Sequence, residues 1–242
     1  TVVMKSLALS GGFPPGTGSG GAVINEGTLT MEGCAIKDCQ CRGNGGAIDA
    51  GEGSVTTLTN CVISGNKLLN YGCSGGGIHV YKGTLTMTGC SVTNNTGAFF
   101  GGGVDFLGTA TLTNCIIESN TAYSYGSGGG VYGGGILTMS GGAVRNNSCG
   151  LLGGGLCFTG GTATLASCAV ESNSASQSTG EGGGIYNGGT TLTLVKCAVK
   201  NNTAGKRGGG IGTSGSLSLK NACTITGNTP DNLYAYYGYT SD

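Results

Sequence analysis

The sequence predicts an all-β fold, a single-stranded right-handed parallel β-helix of about eight coils of 25–30 residues. Three observations predict it. One phrase recurs eight times, with glycine openings at Gly20, Gly45, Gly75, Gly101, Gly128, Gly153, Gly182 and Gly208. Within each phrase, apolar residues alternate over short runs, which is the period of a strand. All three prolines (Pro14, Pro15 and Pro230) lie outside residues 20–229, and proline is excluded from central strands. The organisation that follows is 1–19 as an N-terminal starting strand and cap, 20–229 as the β-helix, and 230–242 as a Tyr-rich C-terminal cap or assembly tail.

Taken in order, Val2, Val3, Met4, Leu7 and Leu9 offer a starting strand, which Pro14-Pro15-Gly16 ends. The phrase itself is clearest at 75–95, GGGIHVYKGTLTMTGCSVTNN. Its glycines permit left-handed backbone and close stacking. Ile78 and Val80 make a first short strand facing inward. In Thr84-Leu85-Thr86-Met87 the apolar pair shares one face and the threonines the other. Cys90 and Val92 make a third inward pair. Three strands per coil are therefore expected, joined by corners.

Two columns accompany these strands. Cys34, Cys61, Cys90, Cys115, Cys168, Cys197 and Cys223 recur in one, with Gly142 in the fifth place. They read as inward thiols that pack as small hydrophobes. Asn66, Asn95, Asn120, Asn147, Asn173, Asn202 and Asn228 recur five residues later, with Cys39 in the first place. Asn tolerates left-handed backbone and can bond to its own kind along a stack, so this column is expected to turn a corner.

Composition narrows the function classes. Eleven basic residues balance eleven acidic ones without a basic stripe, which argues against a nucleic-acid partner. No apolar run reaches the length of a membrane-spanning helix. Twelve cysteines suit an oxidising, extracellular setting. The chain opens on Thr1 rather than Met, as expected of an exported product whose signal peptide has been removed.

The pairing of Gly45-Gly46-Ala47-Ile48 and its kin with Ile63-x-x-Asn66, Val92-x-x-Asn95 and Ile117-x-x-Asn120 resembles the repeat of the polymorphic outer-membrane proteins and related bacterial surface β-helices. That family pairs Gly-Gly-Ala-Ile with Phe-x-x-Asn. Here Ile or Val replaces Phe, and the family's C-terminal barrel is not in this sequence. The resemblance implies a surface-exposed β-helix and leaves the anchor open.

Candidate sites lie on the outer faces. Asp49, His79, Asp105, Tyr132, Cys157 and Tyr186 occupy one column, with Asp49, His79 and Asp105 on consecutive coils. Two carboxylates around the only histidine can bind a ligand, hold a metal or exchange protons. Tyr132 and Tyr186 can stack on sugar rings. Three solvated polar residues are the bland alternative, and the repeated acid–base arrangement of an enzyme is missing. The Gly-Gly-x-Gly-x-Asp calcium repeat is missing as well. No catalytic residue, metal or cofactor is therefore assigned. The outward Thr28/Thr30, Thr84/Thr86, Thr109/Thr111, Thr162/Thr164 and Thr191/Thr193 form a flat array similar to an ice-binding face, or simply good strand surface.

Cys41 and Cys73 fall at one corner of neighbouring coils and are the best disulfide candidates. Cys149 and Cys157 are left for partners or for each other. The tail, 231–242, carries Tyr234, Tyr236, Tyr237 and Tyr239, more aromatic than a solvated tail needs. It is expected either to cap its own coil or to add to a neighbouring molecule. The function expected from all this is a non-catalytic extracellular or cell-surface structural protein that self-associates through its ends into a filament, sheath or coat. The alternatives are an adhesin passenger binding cell-surface glycans or host matrix, and a polysaccharide-binding, polysaccharide-cleaving or ice-binding β-helix.

Overall fold

A computed structural model describes residues 1–242 as strands, turns and bends, with no helix. Every strand pairing is parallel, and the chain winds as a right-handed β-helix of about eight coils. The register has no slip over most of the stack. Leu85 pairs with Thr56 behind and Ala110 ahead, and Met87 with Leu58 and Leu112. Columns in the sequence are therefore columns in space.

Each coil carries four strands rather than the three expected. In one coil they are Ile78–Val80, Thr84–Thr88, Ser91–Thr93 and Thr96–Phe100. The fourth escapes sequence reading because in most coils it is two residues long, as in Lys67–Leu68 and Thr203–Ala204, and has no alternation to detect. The four stacks are called here the glycine, threonine, aliphatic and corner sheets, in the order of those strands.

The core runs the length of the helix. Ile78, Val80, Leu85, Met87, Cys90 and Val92 are all buried, as are their counterparts in neighbouring coils. Phe106 and Phe158 are among the largest buried side chains and meet across Gly133, where a Cβ would collide with the Phe106 ring. Six of the seven column cysteines are buried and Cys223 is partly exposed. Their thiols reach back to carbonyls of the preceding coil, as from Cys90 to Leu58 at 3.3 Å and from Cys197 to Leu165 at 3.3 Å.

The coil turns at three left-handed residues, seen at Gly75 (φ 70°), Gly89 (φ 62°) and Asn94 (φ 57°). This corrects the expected role of the Asn column. The left-handed residue is the one before the column, and the column Asn points inward instead. The Asn95 side-chain amide donates to Asn120 Oδ1 at 3.0 Å and to the Ile63 carbonyl at 3.0 Å. The Asn95 backbone N–H donates to the same Asn120 oxygen at 3.0 Å. The pattern repeats from Asn66 to Asn228 and ends on Asn232 Oδ1. Every amide hydrogen in this dry corner has an acceptor, so burial of the column is compatible with stability.

Both ends extend the stack. Val2–Lys5 pairs with Thr28–Glu32, and Ala8–Ser10 with Ala35–Lys37, so residues 1–19 supply two strands rather than one. In the tail, Leu233–Ala235 adds to the glycine sheet beside Ile211–Thr213. Thr240–Ser241 then adds to the threonine sheet. The tail thus pairs with the last coil of its own chain. The Arg207 guanidinium lies 4.4 Å over the Tyr234 ring and 4.3 Å over the Tyr236 ring, and bonds the buried Glu181. Tyr237 and Tyr239 remain exposed.

Candidate functional site

The outward column of the glycine sheet is assembled by register alone. His79 pairs with Asp49 on one side and with Asp105 on the other, and Asp105 pairs with Tyr132. Strand alternation points all four away from the core. They are nevertheless not all solvated. His79 is 7% exposed and Asp105 is 4% exposed. The cover comes from the corner sheet next door. Its strand Thr96–Phe100 is longer than most, and Phe100 reaches back over Tyr132 with ring centroids 4.4 Å apart.

The result is a cleft of about 560 Å³. Asp49, His79 and Asp105 lie along it, and Tyr81, Phe100 and Tyr132 wall it. No lysine or arginine lines it. His79 Nδ1 is 2.7 Å from Asp49 Oδ1, and since a carboxylate only accepts, the ring nitrogen donates. Nε2 is 3.6 Å from Asp105 Oδ2, an electrostatic contact beyond hydrogen-bond reach. Asp105 Oδ1 is buried without any hydrogen-bond partner. Burial pushes the Asp105 carboxyl up to about 7, against the pull of His79 and the Ser74 hydroxyl. Burial likewise raises the Tyr132 phenol, whose oxygen accepts from Thr159 at 3.2 Å.

The two carboxylates meet opposite nitrogens of one ring. The three groups therefore share no common point, and no set of three His, Cys, Asp or Glu side chains is arranged to hold a metal ion. What the arrangement offers a ligand is an unpaired acceptor at the bottom and aromatic faces at the sides.

Of the column residues singled out by sequence, Asp49, His79, Asp105 and Tyr132 share this cleft. Tyr186 does not: it pairs with Cys157, which in turn pairs with Tyr132, and lies two coils away. Cys157 is wholly buried, so it is closed to a partner molecule, as is the buried Cys149. All twelve cysteines are free thiols. Cys41 and Cys73 do pack together in one small cluster, without a bridge.

Sequence reasoning missed Phe100, Tyr81 and the rings beyond them. Tyr71 stacks on Tyr123 at 4.9 Å, Phe99 meets Tyr71 edge-on at 5.7 Å, and Phe99 meets Phe100 at 4.8 Å. With Tyr132 this makes an unbroken run of five rings leading from the surface into the cleft. Tyr71, second from its outer end, is 60% exposed. The available signal was the placement of Tyr71, Phe99-Phe100 and Tyr123 in the segments just before glycine openings.

Residues 13–113 match a family model described as the right handed beta helix region. The matched stretch includes Asp49, His79 and Asp105. No curated protein and no solved structure matches the chain. A β-helix carries enzymes and binding proteins alike, so the fold alone does not choose between them.

Proposed function

We propose that this protein is a non-catalytic, surface-exposed β-helix that binds a saccharide chain in the cleft formed by Asp49, His79, Asp105 and Tyr132. The observation that carries this reading is the run of aromatic rings ending at a buried carboxylate. Sugar rings present apolar faces that stack on aromatic side chains, and hydroxyls that donate to carboxylates. Five rings in file suit a chain of sugars better than a single small molecule. The absence of chemistry is part of the same reading. His79 Nδ1 is bound to Asp49, and Nε2 faces a second carboxylate at 3.6 Å, so the ring is flanked by acidic groups on both sides. A surface location is supported by the resemblance of the Gly-Gly-Ala-Ile and Ile-x-x-Asn motifs to bacterial surface β-helices, and by the neutral charge balance.

Self-association into a filament or coat is the weaker proposal. Leu233–Ala235 already bonds Ile211–Thr213 of its own chain, so the strand expected to recruit a neighbour is engaged on that side.

The test is calorimetric titration with a panel of soluble oligosaccharides, together with Phe100→Ala, Tyr132→Ala and the remote control Tyr237→Ala. Binding weakened about tenfold or more by the first two changes and unaltered by the third supports the proposal. Saccharide binding untouched by Phe100→Ala and Tyr132→Ala, or glycan cleavage that depends on His79, overturns it.

A further inference from the structure

The cleft also carries information about which saccharide it accepts. This rests on the reading above and narrows it. The glycine sheet places two carboxylates, Asp49 and Asp105, on either side of a single imidazole. No lysine or arginine lines the cleft to neutralise them. Asp105 Oδ1 has no donor at all, although a buried carboxylate oxygen ordinarily has at least one. Tyr81, Phe100 and Tyr132 line the same space. Aromatic faces attract cations through their quadrupole, and more so where water is excluded. Lys82, outside the cleft, lies 5.1 Å over the Tyr81 ring and is paired with Glu52 at 3.5 Å.

We propose that the ligand is an amino sugar with a free amine, whose ammonium group donates to the Asp105 carboxylate beside the packed rings of Phe100 and Tyr132. A hydroxyl can also donate to that carboxyl, but it brings no charge to favour the ionised form, which burial disfavours. An N-acetylated amine donates one hydrogen, brings no charge and is bulkier. The ammonium meets all three conditions: it donates, it is positive, and it is compact. The buried position of Asp105 makes the pairing selective, because an ion pair shielded from water is screened far less by salt than one at the surface.

The experiment uses the full chain near neutral pH and three probes that differ only at the C2 substituent: a glucosamine tetrasaccharide, its fully N-acetylated counterpart, and cellotetraose. The expected result is at least about tenfold tighter binding of the free-amine probe than of either neutral one. In Asp105→Asn, which keeps the size of the side chain and removes its charge, that preference disappears and the three probes bind alike. Circular dichroism establishes that the variant is folded, and the comparison of the three probes on the unaltered protein stands without it. Equal affinity for all three probes overturns this inference and leaves saccharide binding intact. A free-amine preference that survives Asp105→Asn overturns the assignment to this carboxylate. Failure of every saccharide to bind removes the proposed function, and this inference with it.

Discussion

His79 Nδ1 donates to Asp49 Oδ1 across neighbouring coils at 2.7 Å, and this bond sets the face that the imidazole turns to Asp105. The histidine is thus a positioning residue held between two strands of one sheet. His79→Ala strips Asp49 of its donor and removes the ring that faces Asp105. The expected loss is about 2–4 kcal/mol of stability, read as a lower denaturant midpoint at unchanged slope. A midpoint equal to that of the unaltered protein would show the pair to be decorative.

Asp105 makes stability depend on pH in an unusual direction. Its carboxyl titrates at about 7 in the folded chain, against an ordinary value of 3.8. Between those values the folded state keeps a proton that the unfolded state releases. The favourable contribution is therefore full below the ordinary value and is lost as pH rises through about 7. Asp105→Asn cannot ionise and escapes that loss. Its melting temperature relative to the unaltered protein should rise between pH 5 and pH 8, by an amount equivalent to at most about 4 kcal/mol. A difference that is flat with pH would count against a buried, charge-averse carboxyl.

The Asn ladder separates two kinds of asparagine that the sequence places side by side. Asn120→Ala removes the acceptor of two Asn95 hydrogens and the donor to the Val92 carbonyl, all buried. Its expected cost is about 3 kcal/mol or more. Asn94 next to the ladder is left-handed, so Asn94→Gly keeps the backbone and should change stability by no more than about 0.5 kcal/mol. Chemical denaturation of the two variants side by side checks the contrast.

Thiol reactivity follows burial. Only Cys73 and Cys223 are partly exposed, so these two of the twelve thiols should react with a bulky reagent in the native protein. Burial raises the Cys73 thiol and slows it further. All twelve should react after denaturation, and a shortfall of two would mean that a pair such as Cys41 and Cys73 is bridged.

Arg207 is the latch of the tail. It bonds Glu181 at 2.9 Å and Tyr234 at 3.0 Å, and also meets the Tyr236 hydroxyl. Arg207→Ala should leave the helical stack folded and speed chymotryptic trimming after Tyr237 and Tyr239 by several-fold. Unchanged trimming would assign the hold on the tail to backbone pairing alone.

Much of this architecture was legible in the sequence because a β-helix repeats its local rules. Coil boundaries, inward parity and the neighbour relation of Asp49, His79 and Asp105 all follow from period and alternation. The fourth strand was not legible, since two residues have no period. Nor was the burial of the outward column. That burial depends on Phe100, which belongs to a different sheet and closes over Tyr132 from the side. Parity predicts which way a side chain points and is silent about what a neighbouring corner lays on top of it. The inward turn of Asn95 was hidden for a related reason. Left-handed geometry and amide laddering both favour Asn, and adjacent residues Asn94 and Asn95 divide the two tasks between them.

The ladder has a genetic consequence. From Asn66 to Asn228 each coil offers the next the same acceptor and receives the same donor, so no coil is tied by this contact to one particular neighbour. Unequal recombination that copied or dropped one whole coil would rejoin identical bonding partners and leave the fold continuous. The length of such a protein is then free to drift in whole-coil steps. The cleft is not free in this way: it needs Asp49, His79, Asp105 and Tyr132 on four successive coils, so a copying event inside that block would erase it while one outside would carry it along intact.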